Sequence, residues 1–144
     1  MKTIKKISAM MLVLLIFGNA YATEDNDIQH KLVIQVSTDD PRTQKIALNN
    51  AVNLQKIYGL DDVIIEIVAY GPGLSLMTSK SKQASRVTSL SQSNITFSAC
   101  GNTMKKIAKK TGKLPKLLEG VQQVNAGVDR IMILQEKGYS YIRP

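Results

Sequence analysis

The sequence predicts an α/β protein, a three-layer sandwich around a mainly parallel five-stranded sheet. Three observations predict it. The segment 63–69 (VIIEIVA) is a nearly continuous apolar run, which marks a strand covered on both faces, as in parallel sheets. Just before it, Ile46, Ala47, Ala51, Leu54 and Ile57 recur at helical spacing. Strand-like and helix-like segments then alternate to the C-terminus, which implies βαβ units with right-handed crossovers. Five strands suit the flavodoxin-like order 2-1-3-4-5.

Each element has its own signal. The β-branched run 31–37 (KLVIQVS) reads as the first strand. In Thr38-Asp39-Asp40-Pro41 an Asp cap precedes Pro at the first helical position. Gly59 fits the end of that helix. Residues 63–69 form the second strand, ended by Gly71-Pro72-Gly73. A helix over 81–91 turns Ala84, Val87 and Leu90 inward, and 95–99 is the third strand. A helix over 102–110 carries Met104, Ile107 and Ala108 on one face, and 114–118 reads as a short turn. A fourth strand at 121–125, a helix at 128–136 and a short fifth strand at 139–143 complete the chain.

The first residues read as a targeting segment. Lys2, Lys5 and Lys6 form a basic region, 9–17 (AMMLVLLIF) an apolar one, and Ala20-Tyr21-Ala22 fits the small-x-small cleavage rule. Residues 1–22 are therefore expected to be a signal peptide and 23–144 one domain. The apolar run is shorter than the roughly 20 residues of a membrane span, which weighs against an uncleaved anchor. The expected location is periplasmic or secreted, with no stable membrane insertion after cleavage. The chain carries a net charge of +8. Removing the three lysines from 19 basic residues leaves 16 against 11 acidic ones, a net charge of +5. Mild basicity together with export argues against a nucleic-acid partner.

The most informative residue is Cys100, the only cysteine of the chain. It ends a strand and precedes a helix in Ile95-Thr96-Phe97-Ser98-Ala99-Cys100-Gly101-Asn102-Thr103-Met104. At a helix N-terminus, backbone N–H groups and the helix dipole favour a thiolate. An unpaired cysteine in an exported protein is a candidate reactive or intermolecular thiol; the competing reading is a small buried core residue. In the expected strand order, the ligand crevice opens between the first and third strands. It would be lined by Asp39 and Asp40 on one side and Gly101, Asn102 and Thr103 on the other, with Gly71 and Gly73 on the same edge.

Residue counts limit the chemistry. The only histidine, His30, precedes the first strand at the opposite sheet edge. It cannot serve as the base of a Cys–His pair, so a hydrolase is excluded. One Cys and one His cannot close a zinc site, and Cys-x-x-Cys is absent. No metal or other cofactor is called for. What remains is single-sulfur chemistry: carrying a persulfide, forming a mixed disulfide, or sensing oxidants.

Several features keep two readings. Lys105, Lys106, Lys109, Lys110, Lys113 and Lys116 either lower the thiol pKa and attract anions, or form a solvated helix face. Asp39 and Asp40 would act against the lysines. Gly71-Pro72-Gly73 follows a strand as phosphate loops do, but it lacks their further residues and reads better as a tight turn. Asn49, Asn50 and Asn53 are poor helix formers that either bond neighbouring loops or a ligand, or lie on the surface. The helix 128–134 is apolar almost all round, which suits a subunit interface or a deep core position.

Four segments carry a family resemblance: Ala47-Leu48-Asn49-Asn50-Ala51-Val52-Asn53-Leu54, Val68-Ala69-Tyr70-Gly71-Pro72-Gly73-Leu74, Ala99-Cys100-Gly101-Asn102-Thr103-Met104, and 138–144. On these the chain resembles the DsrE/DsrF-like family, in particular its exported single-domain members. The resemblance implies a three-layer α/β fold assembled as a homo-oligomer, a trimer or hexamer. In sulfur-relay members a cysteine between the third strand and the next helix carries a persulfide, and Cys100 occupies that position. The expectation is an exported sulfur-handling or thiol-redox protein centred on Cys100, with a sulfur-donor or acceptor protein as partner. The alternative is a non-catalytic oligomeric binding module for a small anion or a protein, with the cysteine incidental.

Overall fold

The computed structural model describes residues 29–144. The expected signal peptide lies outside the described residues. The chain runs β1 (His30–Val36), α1 (Pro41–Tyr58), β2 (Val63–Ala69), a 3-10 segment (Gly71–Met77), α2 (Ala84–Ser91), β3 (Ile95–Cys100), α3 (Gly101–Thr111), β4 (Val121–Val124), α4 (Gly127–Glu136) and β5 (Ser140–Ile142). All four strand pairings are parallel, so the α/β class read from the sequence is the class of the fold.

The predicted ends of α1 are the observed ones. Asp40 is the N-cap, its carboxylate accepting from the Thr43 N–H at 2.7 Å and the Thr43 hydroxyl at 2.8 Å. Pro41 occupies the first turn, where its missing N–H costs nothing. At the far end Gly59 adopts φ +94°, and its N–H donates to the Gln55 carbonyl at 2.9 Å. Asn49 accepts from the Arg86 guanidinium at 2.7 Å, tying α1 to α2. The segment after β2, read from sequence as a turn, continues as the 3-10 segment and buries Leu74, Leu76 and Met77.

The expected strand order is corrected. The sheet runs β4-β3-β2-β1-β5, not 2-1-3-4-5. Burial explains why. Every residue of β2 except Ile64 is buried, so β2 belongs inside the sheet, whereas the expected order puts it at an edge. None of the four residues of β4 or the three of β5 is buried, and these two form the edges. With β2 between β1 and β3, the proposed crevice between the first and third strands does not exist.

The two sheet faces are covered unequally. One face packs Leu32, Ile34, Val36, Ile65, Ile67 and Phe97 against residues such as Leu48 of α1, Val87 of α2 and Met104 of α3. The other face packs Val33 and Val68 against Ile131 and Leu134 of α4, with Tyr70 and Tyr139 beside them. The helix after β3 and the helix after β4 therefore leave the sheet on opposite faces. That divergence is a topological switch point, where open α/β sheets place their ligands. It lies between β3 and β4, and Cys100 stands on it.

Candidate functional site

Cys100 is both the last residue of β3 and the N-cap of α3. Strand alternation sends Ala99 into the larger core and turns Ser98 and Cys100 to the α4 face. Two close approaches then shape the site. A Cβ at Gly101 would stand 2.9 Å from the Val124 carbonyl oxygen and 3.0 Å from Gln123 Nε2. Glycine thus lets the first turn of α3 lie against the end of β4, where the Asn102 N–H donates to the Asn125 carbonyl at 3.1 Å. A Cβ at Gly127 would stand 3.0 Å from Tyr70 Cδ1 and 3.3 Å from Cys100 Cβ. Glycine there brings the N-terminus of α4 against the cysteine. Two helix N-termini thereby converge on one sulfur, and their unsatisfied N–H groups and dipoles both favour an anion.

Thr103, one turn into α3, completes the set. Its Oγ1 accepts from the Gly71 N–H at 2.9 Å, which leaves the hydroxyl proton free to turn to the sulfur. Burial pushes the Cys100 thiol up. The Thr103 hydroxyl and N–H, with the N–H groups of Gly127 and Asn102, favour the thiolate and outweigh burial, so the thiol lies below its ordinary value. The Asn102 N–H contributes least of these, in keeping with its bond to Asn125. Cys100 as a whole residue is buried, at 5% exposure.

The predicted site residues divide in two. Cys100, Gly101, Asn102, Thr103 and Gly71 come together. Asp39, Asp40 and Gly73 do not join them. Asp40 is committed to capping α1. The two Thr43 hydrogen bonds, the backbone one first, hold its carboxyl below the usual range. Asp39 borders a separate 190 Å³ hollow with Gln44, Ser75 and Lys80. Gly73 packs directly on the end of β1. The lysines of α3 are exposed, from Lys105 to Lys110, and none is among the groups that shift the thiol. They can act on what approaches the site more than on the sulfur itself.

His30 lies at the other end of the sheet. It stacks on Tyr58 with ring centroids 3.8 Å apart. The length of β1 sets it roughly 20 Å from the strand ends where Cys100 sits, too far to act as its base. Asn50 and Asn53 border a 420 Å³ cavity beside it. Among the described residues no group of three His, Cys, Asp or Glu side chains could hold a metal ion. No helix among them is long and apolar enough to cross a membrane.

Sequence reasoning missed one pair near the site. Glu66 of β2 is 3% exposed and receives both arms of the Arg130 guanidinium, Nε to Oε1 at 2.8 Å and Nη2 to Oε2 at 2.6 Å. The Ser98 hydroxyl donates to the same Oε1 at 2.5 Å, and Gln122 Nε2 donates to Ser98 Oγ at 2.9 Å. The signal was a lone carboxylate inside an apolar strand, since a buried charge requires a partner.

No protein-family model and no curated protein matches the chain. Among solved structures, a protein of unknown function from Methanobacterium thermoautotrophicum is similar at 32% identity with a TM-score of 0.71. The match covers 80% of this chain and 99% of the archaeal one.

Proposed function

We propose that this chain, which belongs to one family with the Methanobacterium thermoautotrophicum protein of unknown function, is an exported sulfur carrier of the DsrE/DsrF type whose Cys100 holds a persulfide. The observation that carries this reading is the convergence of two helix N-termini on the one cysteine, with donors that favour its thiolate. The thiolate attacks the outer sulfur of a donor persulfide, R–S–SH. The donor S–S bond breaks, its electron pair leaves as R–S⁻, and Cys100 gains one sulfur as Cys–S–SH. The transfer needs neither an added oxidant nor a metal. A donor or acceptor protein, drawn by the exposed lysines of α3, is the expected partner.

The test is direct. Protein incubated with glutathione persulfide should gain the mass of one sulfur atom, localised to Cys100 by peptide mass spectrometry. The Cys100→Ser variant should gain none. If the wild-type protein gains no sulfur while its thiol still alkylates in the folded state, the reading fails. The 5% exposure of Cys100 favours a second reading, an oligomeric binding module with an incidental cysteine. Folded protein that neither alkylates nor accepts sulfur would overturn the carrier reading and leave the cysteine incidental, as the second reading requires.

The same proposal includes assembly as a trimer or hexamer. Val128 and Met132 lie one turn apart on the outer face of α4, 60% and 57% exposed, while Ile131 and Leu134 of the same helix are buried. Apolar side chains on both sides of one helix suit a covered surface. Sedimentation of residues 23–144 at micromolar concentration should show the oligomer, and Met132→Glu should weaken it. A monomer at that concentration overturns the claim.

A further inference from the structure

We propose that the Glu66–Arg130 pair is a clamp that seats the N-terminus of α4 against Cys100, so that Arg130 is a positioning residue for the sulfur site. The proposal deepens the sulfur-carrier reading and rests on it for its purpose, though not for its geometry.

The N-cap of α4 is Ala126, and the Arg130 N–H donates to the Ala126 carbonyl at 3.0 Å. That bond closes the turn which presents the Gly127 N–H to the sulfur. The side chain of the same residue reaches down to the sheet and holds Glu66 with two bonds. Arg130 thus fixes the first turn of α4 internally through its backbone and to β2 through its guanidinium. A cation in the first turn opposes the helix dipole, so its placement calls for a stronger compensating contact. The forked pair with a buried carboxylate supplies one.

Apart from the packing of Gly127 on Tyr70 and Cys100 and the Asn102–Asn125 backbone bond just before it, the pair is the side-chain anchor at this end of α4. The apolar contacts of the helix come from Ile131 and Leu134, packed on Val33 and Val68, and they lie beyond the first turn. The N-cap Ala126 has no side-chain capping bond. The clamp is rigid at its base as well. Ser98 bonds Glu66 and receives Gln122, so three strands share the network. Ser98 and Cys100 are two residues apart on the same strand face, roughly 7 Å apart. The close approach of Gly127 to Tyr70 and Cys100 leaves no slack, and a small shift of this turn withdraws its N–H from the sulfur.

The charged and titratable groups around the thiol are few. The loop after β2 contributes Tyr70, α4 contributes exposed Asp129 and half-buried Arg130, β2 contributes Glu66, and α3 begins its exposed lysines at Lys105. Tyr139 faces the ion pair, its hydroxyl pushed up by burial first and then by Glu66.

A clamp and a simple charge effect predict different signs. Acting only through charge, removal of Glu66 would favour the thiolate and removal of Arg130 would disfavour it. Acting as a clamp, either removal frees the turn and disfavours the thiolate. The experiment measures the pH dependence of Cys100 alkylation by iodoacetamide in wild type, Glu66→Gln and Arg130→Met. Hydrogen exchange of the amides of Arg130 to Leu134 is followed in parallel. Both variants should raise the alkylation midpoint, slowing the reaction about threefold to tenfold below the wild-type midpoint, and should speed exchange in α4 relative to α3. Midpoints that move in opposite directions overturn the clamp. So does an unmoved midpoint accompanied only by a lower melting temperature. If Arg130→Met does not fold, Arg130→Lys keeps the charge without the fork and should shift the midpoint in the same direction by less. An ordinary midpoint in the wild type would sink the sulfur-carrier reading. The clamp would then stand or fall on whether the variants speed exchange in α4.

Discussion

Gly73→Ala should destabilise the protein more than a change at any neighbouring glycine. A Cβ at this position would stand 2.1 Å from the Val36 carbonyl oxygen, 2.5 Å from its carbonyl carbon and 2.9 Å from the Ser37 nitrogen. All three are backbone atoms at the end of β1, a strand hydrogen-bonded to neighbours on both sides. No side chain can rotate away, so the 3-10 segment itself must move. That segment buries Leu74, Leu76 and Met77 at 1% exposure or less, and its displacement would open the main core. Overpacking costs typically 1–3 kcal/mol and occasionally more, and a backbone-on-backbone clash belongs at the top, roughly 3 kcal/mol or beyond. For a domain of this size the melting temperature should fall by about 10 °C or more. Gly71→Ala is the control. It has open space around its missing Cβ but φ +54°, so it should cost only the left-handed strain of roughly 1–2 kcal/mol. A thermal melt of Gly73→Ala within a degree or two of wild type would mean that Gly73 does not pack directly on the end of β1.

The same glycine illustrates what a sequence can and cannot reveal. Gly71-Pro72-Gly73 was legible as an ended strand and a turn, because glycine and proline punctuate local structure. It was not legible that Gly73 is there for a contact with Val36, since nothing local encodes an approach across 37 positions. The α/β class was legible for a different reason. Strands buried on both faces and helices with one apolar face declare themselves over short windows, and the ends of α1 carry their own capping chemistry at Asp40, Pro41 and Gly59.

Strand order was open to inference and was read wrongly. Right-handed crossovers permit both orders, so handedness could not choose between them. Composition could have chosen. VIIEIVA is too apolar for an edge, while Val121-Gln122-Gln123-Val124 carries two glutamines and suits one. Weighing those two strands against each other places β4 outside and β2 inside. The crevice then moves from the first and third strands to the third and fourth, and Asp39 and Asp40 leave the site. Cys100 belongs to the site under either order, because its signal is local: the last residue of a strand facing a helix N-terminus. The role of Gly127 depended on the fold, since only the β3–β4 neighbourhood brings the start of α4 to the sulfur.

Cys100 should alkylate in the folded protein with a midpoint below that of free cysteine, about 8.5. Burial alone would raise the thiol; Thr103, Gly127 and Asn102 reverse that balance. The hydroxyl of Thr103 is the largest of these contributions, and its oxygen is held in place by the Gly71 N–H. Thr103→Val keeps the shape, removes the hydroxyl and should move the midpoint up while leaving the lysines of α3 untouched. The shift also has a consequence for stability, and its sign follows from linkage. A group whose folded value is depressed stabilises the fold above its unfolded value, and that stability is lost as pH falls through the folded value. Wild type should therefore gain stability over Cys100→Ser as pH rises through the window between the lowered folded value and the ordinary thiol value. Denaturant melts of the two proteins on either side of that window measure the difference. A difference that shrinks as pH rises would mean the folded protein disfavours the thiolate, as an ordinary buried core cysteine does. Alkylation that occurs only after unfolding would show the same from the kinetic side.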